Sequence, residues 1–441
     1  MKAKKQDFYA TRSTSWWVVA LAMIGSCMSG VTFVSVPGMV ATSGFGYLQM
    51  CLGFFLGYLV IAFVLTPLYF KLGVVSIYQY LEQRFGMSSY KTGAWFFFIS
   101  KMLGASVRLF LMCSTLQLLV FGPMGVPFWV TVAACVLLAW LYTFRGGVKS
   151  VIWVDLFKTL CMLVTVGICL VLIGKEVGVF DKSMARVFYF DDIDHPEFFW
   201  KQLLGGLFTV IATTGLDQDM MQRTLACKNV RDSQKNLIVS NILQTVVIAL
   251  FLVLGVFLYQ FAALHGIDAK GDALFPEVAC SKFLPPVVGV LFILGLISAG
   301  FPAGGSALTA LTTSFTVDIL GGLKRENEEK LRQRVHVGMA VCMAVCIVVF
   351  SALNSTSTID AVYRLASYTY GPLLGLFFYG LSNRKPVRDK WVPVVCLLAP
   401  VLCLVLDLNS VKWFNGYHFS YEILLLNAGF TALGLLLLRK R

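Results

Sequence analysis

The stretch SWWVVALAMIGSCMSGVTFVSVPGMVA, residues 15–41, decides the fold class of this chain. It carries no charged residue and exceeds the roughly 20 apolar residues that a helix needs to cross about 30 Å of hydrocarbon. Its interior holds Gly25, Ser29, Gly30 and Pro37, which are small or helix-breaking. The stretch therefore predicts a membrane-spanning helix that is broken near the bilayer midplane. The alternative is that these small residues only permit close helix packing.

The composition of the whole chain agrees with a membrane protein. Of its 441 residues, 58% are hydrophobic and only 13% are charged, against roughly 25% charged residues in a soluble domain. This composition excludes a soluble enzyme, a nucleic-acid-binding protein and a disordered scaffold. The formal net charge is +13. In a membrane protein, the informative property is the side of the membrane on which the positive residues lie.

Apolar runs separated by breaks rich in Gly, Pro and charge predict an all-α integral membrane protein with twelve transmembrane helices. The predicted spans are 15–41, 46–70, 92–121, 125–144, 149–174, 201–216, 236–264, 285–315, 335–354, 359–381, 390–407 and 420–438. Of the 36 Lys and Arg residues, 25 fall on the side of the N-terminus and 7 on the other. By the positive-inside rule, both termini are cytoplasmic, and the predicted location is the plasma (inner) membrane.

Five charged residues lie inside the predicted spans and away from their ends: Lys101, Arg108, Asp155, Lys158 and Arg364. A charged group in hydrocarbon costs roughly 2.5–3.5 kcal/mol on the insertion scale, so each is a candidate functional residue. No phosphate-binding loop, zinc-ligand spacing or catalytic triad accompanies them. We therefore predict neither an enzyme nor a bound cofactor.

Three segments, taken together, resemble the sodium:solute symporter family. They are VVSIYQYLEQRF (74–85), RGGVKSVIWVD (145–155) and DQDMMQRTLACK (217–228), in the family's order across nearly the whole chain. The segment SCMSGVTFVSVPG (26–38) adds a likeness to the iodide and multivitamin branch. The family's usual extra N-terminal helix is missing, and we expect that the chain starts late or that its start codon is misassigned.

The resemblance implies the LeuT-type fold of a secondary active transporter that works by alternating access. In that fold, 15–174 and 201–381 would form two inverted repeats (5+5 helices), and 390–438 would add two C-terminal helices. All of them would belong to one transmembrane domain, 1–441. Its implied function is the import of a small organic solute at a midplane site between broken helices.

The family's shared sodium site implies two sets of oxygen ligands. Gly25 and Met28 would supply backbone carbonyls from core helix 1. The positions that usually hold hydroxyls on core helix 8 fall on Ala299, Pro302 and Ala303, none of which has a side-chain oxygen. Sodium binding would then need a shifted register that brings in nearby hydroxyls, which belong to Ser298, Ser306 and Thr309.

Core helix 5 departs from the family at the same site. Asp155 stands where sodium-rich members keep a carboxylate, and Lys158 replaces the usual neutral amide three residues later. At 1.5 Å per residue, Lys158 lies roughly 15 Å into the membrane. Two interpretations stay open: a fixed Asp155–Lys158 ion pair, or a Lys158 ammonium that replaces sodium or carries a proton.

The substrate site implied by the resemblance disfavours a neutral sugar. The sugar-contacting positions of the sodium/glucose branch correspond here to Cys27, Thr32, Cys51, Thr213 and Thr214. These side chains lack the aromatic face and the carboxylate or amide that sugar recognition needs.

Three cations favour an anionic solute instead. Arg364 stands where the sugar branch has a substrate-contacting amide, and Lys101 where the sialic-acid transporters have a basic residue. Arg108 follows two turns later on the same helix face. Arg offers a fork that fits a carboxylate. The alternative is that the two arginines cap helix carbonyls or hold a gate.

A transporter is the leading hypothesis, and a transporter-like membrane sensor is the alternative from another class. Vesicle uptake of labelled solute separates the two, because a sensor binds solute without accumulating it. The predicted partners are a small anionic solute and the lipid bilayer, with no nucleic acid. The sequence does not predict an oligomeric state.

The Lys158 hypothesis predicts that transport responds to pH more than to replacement of sodium by choline. Lys158→Ala should abolish the pH response, because the titratable ammonium is gone, and Lys158→Gln keeps the size without the charge. Uptake into vesicles across a pH series measures both. Steep, saturable sodium dependence of the unaltered protein would contradict the hypothesis and leave Lys158 as the partner of Asp155.

Overall fold

The computed structural model describes residues 15–73, 76–143, 148–321, 328–353 and 357–440. Within these ranges the backbone is helical, apart from connecting segments and an isolated β-bridge between Val387 and Arg439. In the part of the chain that the structure describes, seven helices are long and apolar enough to cross a membrane, or eight if a bent pair counts as one span. The predicted all-α, multi-pass architecture is confirmed. The count of twelve spans and the inverted repeats stay predictions.

The described residues of the first half of the chain form the first nine helices. They are α1 (Trp16–Cys27), α2 (Gly30–Gly38), α3 (Val40–Ser43), α4 (Tyr47–Val60), α5 (Thr66–Leu72), α6 (Gln79–Arg84), α7 (Met87–Leu116), α8 (Phe128–Thr143) and α9 (Val148–Val177). Single π-helical turns at Ile61–Leu65 and Gln117–Phe121 continue α4 and α7.

The second half completes the bundle. Its helices are α10 (Phe199–Val210), α11 (Gln218–Thr224), α12 (Val230–His265), α13 (Leu274–Ala279), α14 (Pro286–Ser314), α15 (Glu328–Leu353), α16 (Thr358–Ser382), α17 (Val392–Trp413) and α18 (Ile423–Leu437). Every predicted span overlaps at least one of the eighteen helices in the described part of the chain. The boundaries differ: α7 begins at Met87 rather than 92, and α12 begins at Val230 rather than 236.

The first span is broken, as its sequence predicts. α1 ends at Cys27, α2 begins at Gly30, and the two axes differ by 59°. Between them, Met28 (φ −88°, ψ 108°) and Ser29 (φ −102°, ψ −179°) have extended backbones. The break interrupts the helical hydrogen-bond ladder, so carbonyl groups in the last turn of α1 lack the amide partners of a continuous helix.

Glycines bring α4 and α10 into direct backbone contact. A Cβ atom added to Gly53 would lie 2.2 Å from the carbonyl oxygen of Leu203, and one added to Gly206 would lie 2.3 Å from that of Met50. A side chain at either position would push the helices apart. Their close packing fixes the relative position of two walls of the central cavity.

The hydrogen-bond gap that Pro372 leaves in α16 is filled by α18. Pro372 has no amide hydrogen for the carbonyl of Tyr368, four residues earlier. Asn427 of α18 donates from Nδ2 to the Tyr368 carbonyl at 2.8 Å and to the Ser367 carbonyl at 3.1 Å. The bond replaces the missing partner, which matters in a membrane because no water is available to do so.

The segment between α9 and α10 folds back over the start of α4. Gln49 donates to the Glu197 carbonyl at 2.8 Å. The Glu197 carboxyl group lies buried beside Gly46, and no hydrogen-bond donor in the described part of the chain reaches its Oε2. The pKa of Glu197 is raised to about 7, mainly by burial. The nearby charge of Asp360 acts in the same direction, and a hydrogen bond from Ser43 acts against it.

We predict that this buried carboxyl group makes stability fall as pH rises from about 4.5 to about 7. In that window the folded protein holds a proton that the unfolded chain has released, so unfolding becomes easier with rising pH and levels off above the window. Glu197→Gln should remove this dependence and raise the melting temperature at pH 8. Thermal unfolding in detergent between pH 5 and pH 8.5 measures both effects.

Asp268→Asn is the matched control, because the Asp268 side chain is 95% exposed. It should keep the pH profile of the unaltered protein. If Glu197→Gln also kept that profile, the assignment of the pH dependence to Glu197 would be wrong.

Candidate functional site

A polar cavity lies beside the break between α1 and α2. Residues of α1, α4, α7, α10, α11, α12 and α16 line it, together with residues that join α10 to α11. Its volume is about 100 Å³, enough to hold several water molecules. The cavity lies between the broken helix and the helices that pack around it.

Five of the seven predicted substrate-site residues line this cavity. They are Cys27 on α1, Lys101 and Arg108 on α7, and Thr213 and Thr214 in the π-helical turn after α10. They come from three separate segments of the chain, and the fold brings them to one place. Their contact with a solute stays a prediction.

Thr32 and Arg364 lie elsewhere. Thr32 is half-buried on α2. The Arg364 side chain is 54% exposed, and its Nη1 lies 3.7 Å from Oδ2 of Asp407 on α17. The cavity-facing residues of α16 include Tyr363 and Tyr370, seven residues and two turns apart, whereas Arg364 is rotated about 100° from Tyr363. The structure therefore does not place Arg364 with the other predicted substrate residues.

Lys101 is neutralised by acidic residues at one end of the cavity. Its Nζ lies 3.1 Å from Oδ2 of Asp217 and 3.1 Å from Oδ2 of Asp219. The side chains are 7%, 3% and 14% exposed, respectively. Asp219 also pairs with Arg223 at 3.3 Å. Two carboxylates thus balance two cations, which differs from the free, anion-binding Lys101 expected from the sequence.

The position of Asp217 follows from local helix chemistry. As the N-cap of α11, it accepts from the amides of Asp219 at 2.9 Å and Met220 at 3.2 Å. An N-cap carboxylate satisfies amides that have no helical partner and is favoured by the helix dipole. The same carboxylate accepts from the Tyr370 hydroxyl at 2.9 Å. The cap therefore joins α11 to α16 and to Lys101 on α7.

Arg108 is the cavity cation that this network does not neutralise. It lies two turns beyond Lys101 on α7 and is half-buried. In the ranges that the structure describes, its guanidinium group makes no hydrogen bond or ion pair. Tyr363 and Tyr370 lie close enough to interact with its charge. A guanidinium group in this position can bind a carboxylate through two parallel hydrogen bonds.

Aromatic side chains close the opposite end of the cavity. The hydroxyl groups of Tyr363 and Tyr47 are 2.6 Å apart. The Tyr363 ring also lies 5.2 Å from the ring of Tyr421, whose hydroxyl donates to Asp360 at 2.7 Å. This layer separates the cavity from the segment that carries Glu197.

The predicted coupling site is only partly covered by the structure. Gly25 is buried in the last turn of α1, and Met28 is buried within the break. Ala299 is buried on α14, and Ala303 is half-buried one turn later. Of these four residues, each can offer only a backbone carbonyl oxygen as a sodium ligand.

Two further observations bear on that site. A Cβ added to Gly30 would lie 3.5 Å from Cδ1 of Leu296, so α14 passes beside the break. The side chains of Asp155, Lys158 and Pro302 lie outside the described residues, and their part in coupling stays a prediction. Among the residues searched, no cluster of three His, Cys, Asp or Glu side chains could hold a metal ion.

Several residues of this site had no role predicted from the sequence. Asp217 lies within a segment that carries the family resemblance, and Asp219, Tyr363 and Tyr370 have no predicted role. Two signals were available: Asp217 directly follows the predicted end of span 6, and the two tyrosines repeat at a helical spacing. Neither signal identifies their partners, which lie more than 100 residues away in the chain.

Comparisons with known proteins agree with the architecture. Residues 8–385 match the sodium:solute symporter family. The human sodium/iodide cotransporter is 23% identical over 396 residues, covering 85% of this chain and 61% of the relative. The mouse sodium-coupled monocarboxylate transporter 1 is 25% identical over 401 residues, covering 86% of this chain and 64% of the relative. The chain thus spans about three fifths of the length of these relatives.

A bacterial relative and two solved structures are similar over more of their length. The sodium/sialic acid symporter NanT of Aliivibrio fischeri is 25% identical over 436 residues, covering 92% of this chain and 84% of NanT. An outward-open, substrate-bound Na⁺-coupled sialic acid symporter has a TM-score of 0.78 at 19% identity, covering 98% of this chain and 91% of that structure. The nucleobase-cation-symport-1 transporter Mhp1 has a TM-score of 0.60 at 14% identity, covering 96% of this chain and 92% of Mhp1.

Proposed function

The chain belongs to the sodium:solute symporter family, and we propose that it imports a small organic anion by ion-coupled secondary transport. The cavity would hold the solute and would open alternately to the two sides of the membrane. One observation carries the proposal of an anion: Arg108 lines the cavity without an acidic partner in the described residues. An anionic solute would supply the missing negative charge.

The cost of an unpaired charge explains why Arg108 points to a ligand. A buried cation is tolerated when another charge, a hydrogen-bond acceptor or water compensates for its lost hydration. Lys101 has Asp217 and Asp219 for this purpose, whereas Arg108 has open space before it. Since Arg364 lies apart from the cavity, we assign the anion contact to Arg108.

The volume of the cavity limits the size of the solute. About 100 Å³ is well below the roughly 300–1,000 Å³ of pockets that hold drug-sized ligands. A short carboxylate fits this space better than a nine-carbon sugar acid does. The named substrates of the relatives, iodide, monocarboxylates and sialic acid, are all anions, which supports the charge but not the size.

For the coupling ion we propose sodium, because the relatives are named as sodium-coupled. The carbonyls of Gly25 and Met28, freed by the break, would be its first ligands, since oxygen atoms suit a hard cation. Replacement of sodium by Lys158, or proton coupling through it, is the competing proposal. The pH series described for Lys158 decides between them.

The arrangement in the membrane completes the proposal. We propose twelve spans with cytoplasmic termini in the plasma (inner) membrane. The order of the helices and the distribution of Lys and Arg residues support it. In this orientation, α11 and the Lys101 network lie toward the cytoplasm, and the segment that carries Glu197 lies outside.

We predict that Arg108→Gln weakens binding of a short carboxylate by at least about tenfold. The change removes a charge-assisted, two-point hydrogen bond, typically about 1.5–3 kcal/mol. Arg108→Lys should retain part of the affinity, because it keeps the charge but loses the planar fork. A thermal-shift screen of short carboxylates with and without sodium identifies the ligand, and uptake of its labelled form into proteoliposomes measures the effect.

Arg364→Gln is the matched control, since it removes the same side chain outside the cavity. The affinity of this variant for the carboxylate should stay within about twofold of that of the unaltered protein. The proposal fails if the best ligand is a neutral sugar whose uptake is unaffected by Arg108→Gln. It also fails if Arg364→Gln, and not Arg108→Gln, weakens binding.

A further inference from the structure

We propose that the buried ionic network around Lys101 is the gate that closes the cavity toward the cytoplasm. The network is defined by Ser26, Lys101, Asp217, Asp219, Arg223 and Tyr370. The proposal rests on the transport function, because a gate has meaning only for a cavity that opens to both sides. It assigns Lys101 to the movement of the protein rather than to contact with the solute.

The network joins four helices that no other described ionic contact holds together. Lys101 is on α7, and both carboxylates belong to the N-terminus of α11. Tyr370 of α16 donates to Asp217 at 2.9 Å. Arg223 of α11 pairs with Asp219 and also donates to the Ser26 hydroxyl of α1, directly before the break. Separation of any one helix from the others breaks at least one of these contacts.

The position of the network is that of a cytoplasmic closure. Ser26, Lys101, Asp217 and Tyr370 line the cavity themselves, so they form its end wall. Beyond them, the Tyr78 hydroxyl donates to the Leu216 carbonyl at 2.9 Å. In the proposed orientation, a path from the cavity to the cytoplasm would pass between α1, α7, α11 and α16, and so through the network.

Electrostatics makes these contacts suitable for opening as well as closing. A buried ion pair gains Coulomb energy but loses hydration, so its net stabilisation is small compared with either contribution. When the path opens, water rehydrates the separated charges and offsets the lost attraction. The closed, dry state and the open, wet state can therefore be close in free energy, as a two-state gate requires.

Two other roles for the same contacts make different predictions. A fixed structural pair would stabilise the fold without changing access to the cavity. A substrate-binding Lys101 would change affinity for the anion and again leave access unchanged. Access measured without any solute therefore separates the gate from both alternatives.

The test uses Cys27, which is half-buried and lines the cavity. The exposed thiols of Cys280 and Cys342 are first replaced by serine in every variant. The protein is placed in vesicles with its cytoplasmic face outward, and a membrane-impermeant thiol reagent is added. Additional replacement of Cys27 by alanine should abolish the rapid labelling that is assigned to this residue.

The decisive variant combines Lys101→Met with Asp217→Asn. It removes the ion pair between these two residues and leaves Asp219 balanced by Arg223. We expect Cys27 to be labelled at least about tenfold faster than in the parent. A modest shift of the equilibrium between the closed and open states raises the population of the open state by this factor. Lys101→Arg keeps the ion pairs and should label within about twofold of the parent. Lys270→Met with Asp268→Asn removes an exposed pair and is the matched control, also expected within twofold.

If the double variant does not fold, Tyr370→Phe carries the test. It removes one hydrogen bond to Asp217 and should raise the labelling rate roughly threefold to tenfold, as expected for the loss of one bond to a charged group. The proposal is overturned if a folded variant of either kind labels at the parental rate. Faster labelling in a protein that accumulates no carboxylate would uphold the gate and refute the proposed anion transport.

Discussion

A charge inside the hydrocarbon must be compensated from within the protein, and this constraint shapes the centre of the molecule. Lys101 and Arg223 would be costly in an apolar bundle, but Asp217 and Asp219 balance them within 3.1–3.3 Å. The carboxylates are held in place because Asp217 also caps α11. One local rule of helix capping thus determines where four charges meet and which helices they join.

The same constraint applies to backbone groups where helices are irregular. At Pro372, α16 cannot bond its own Tyr368 carbonyl, and Asn427 of α18 supplies the donor. At the break after Cys27, the helical hydrogen-bond ladder between α1 and α2 is interrupted. The Tyr368 carbonyl is thus satisfied by a neighbouring helix, whereas the carbonyls of Gly25 and Met28 at the break are the proposed sodium ligands.

Arg108 is where compensation from the protein is missing, and for this reason it carries the functional proposal. It lines the cavity together with hydroxyl groups and aromatic rings, and no carboxylate of the described residues pairs with it. The cavity therefore has one end at which charges are balanced and a middle at which one positive charge is exposed to a solute. Lys101 of the proposed gate and Arg108 of the proposed binding site both lie on α7, but only the charge of Lys101 is balanced by carboxylates.

The sequence by itself determined the properties that depend on neighbours along the chain. The length of 15–41 and its small residues predicted a broken membrane helix, because span length and helix breaking are local. It also identified Lys101 and Arg108 as costly charges, and the family followed from segments such as 217–228. Only the tertiary structure decided which charge is paired: Lys101 meets Asp217 across 116 residues, while Arg364 turns toward Asp407. Helical spacing states which residues share a face, but the packing of other helices decides what that face meets.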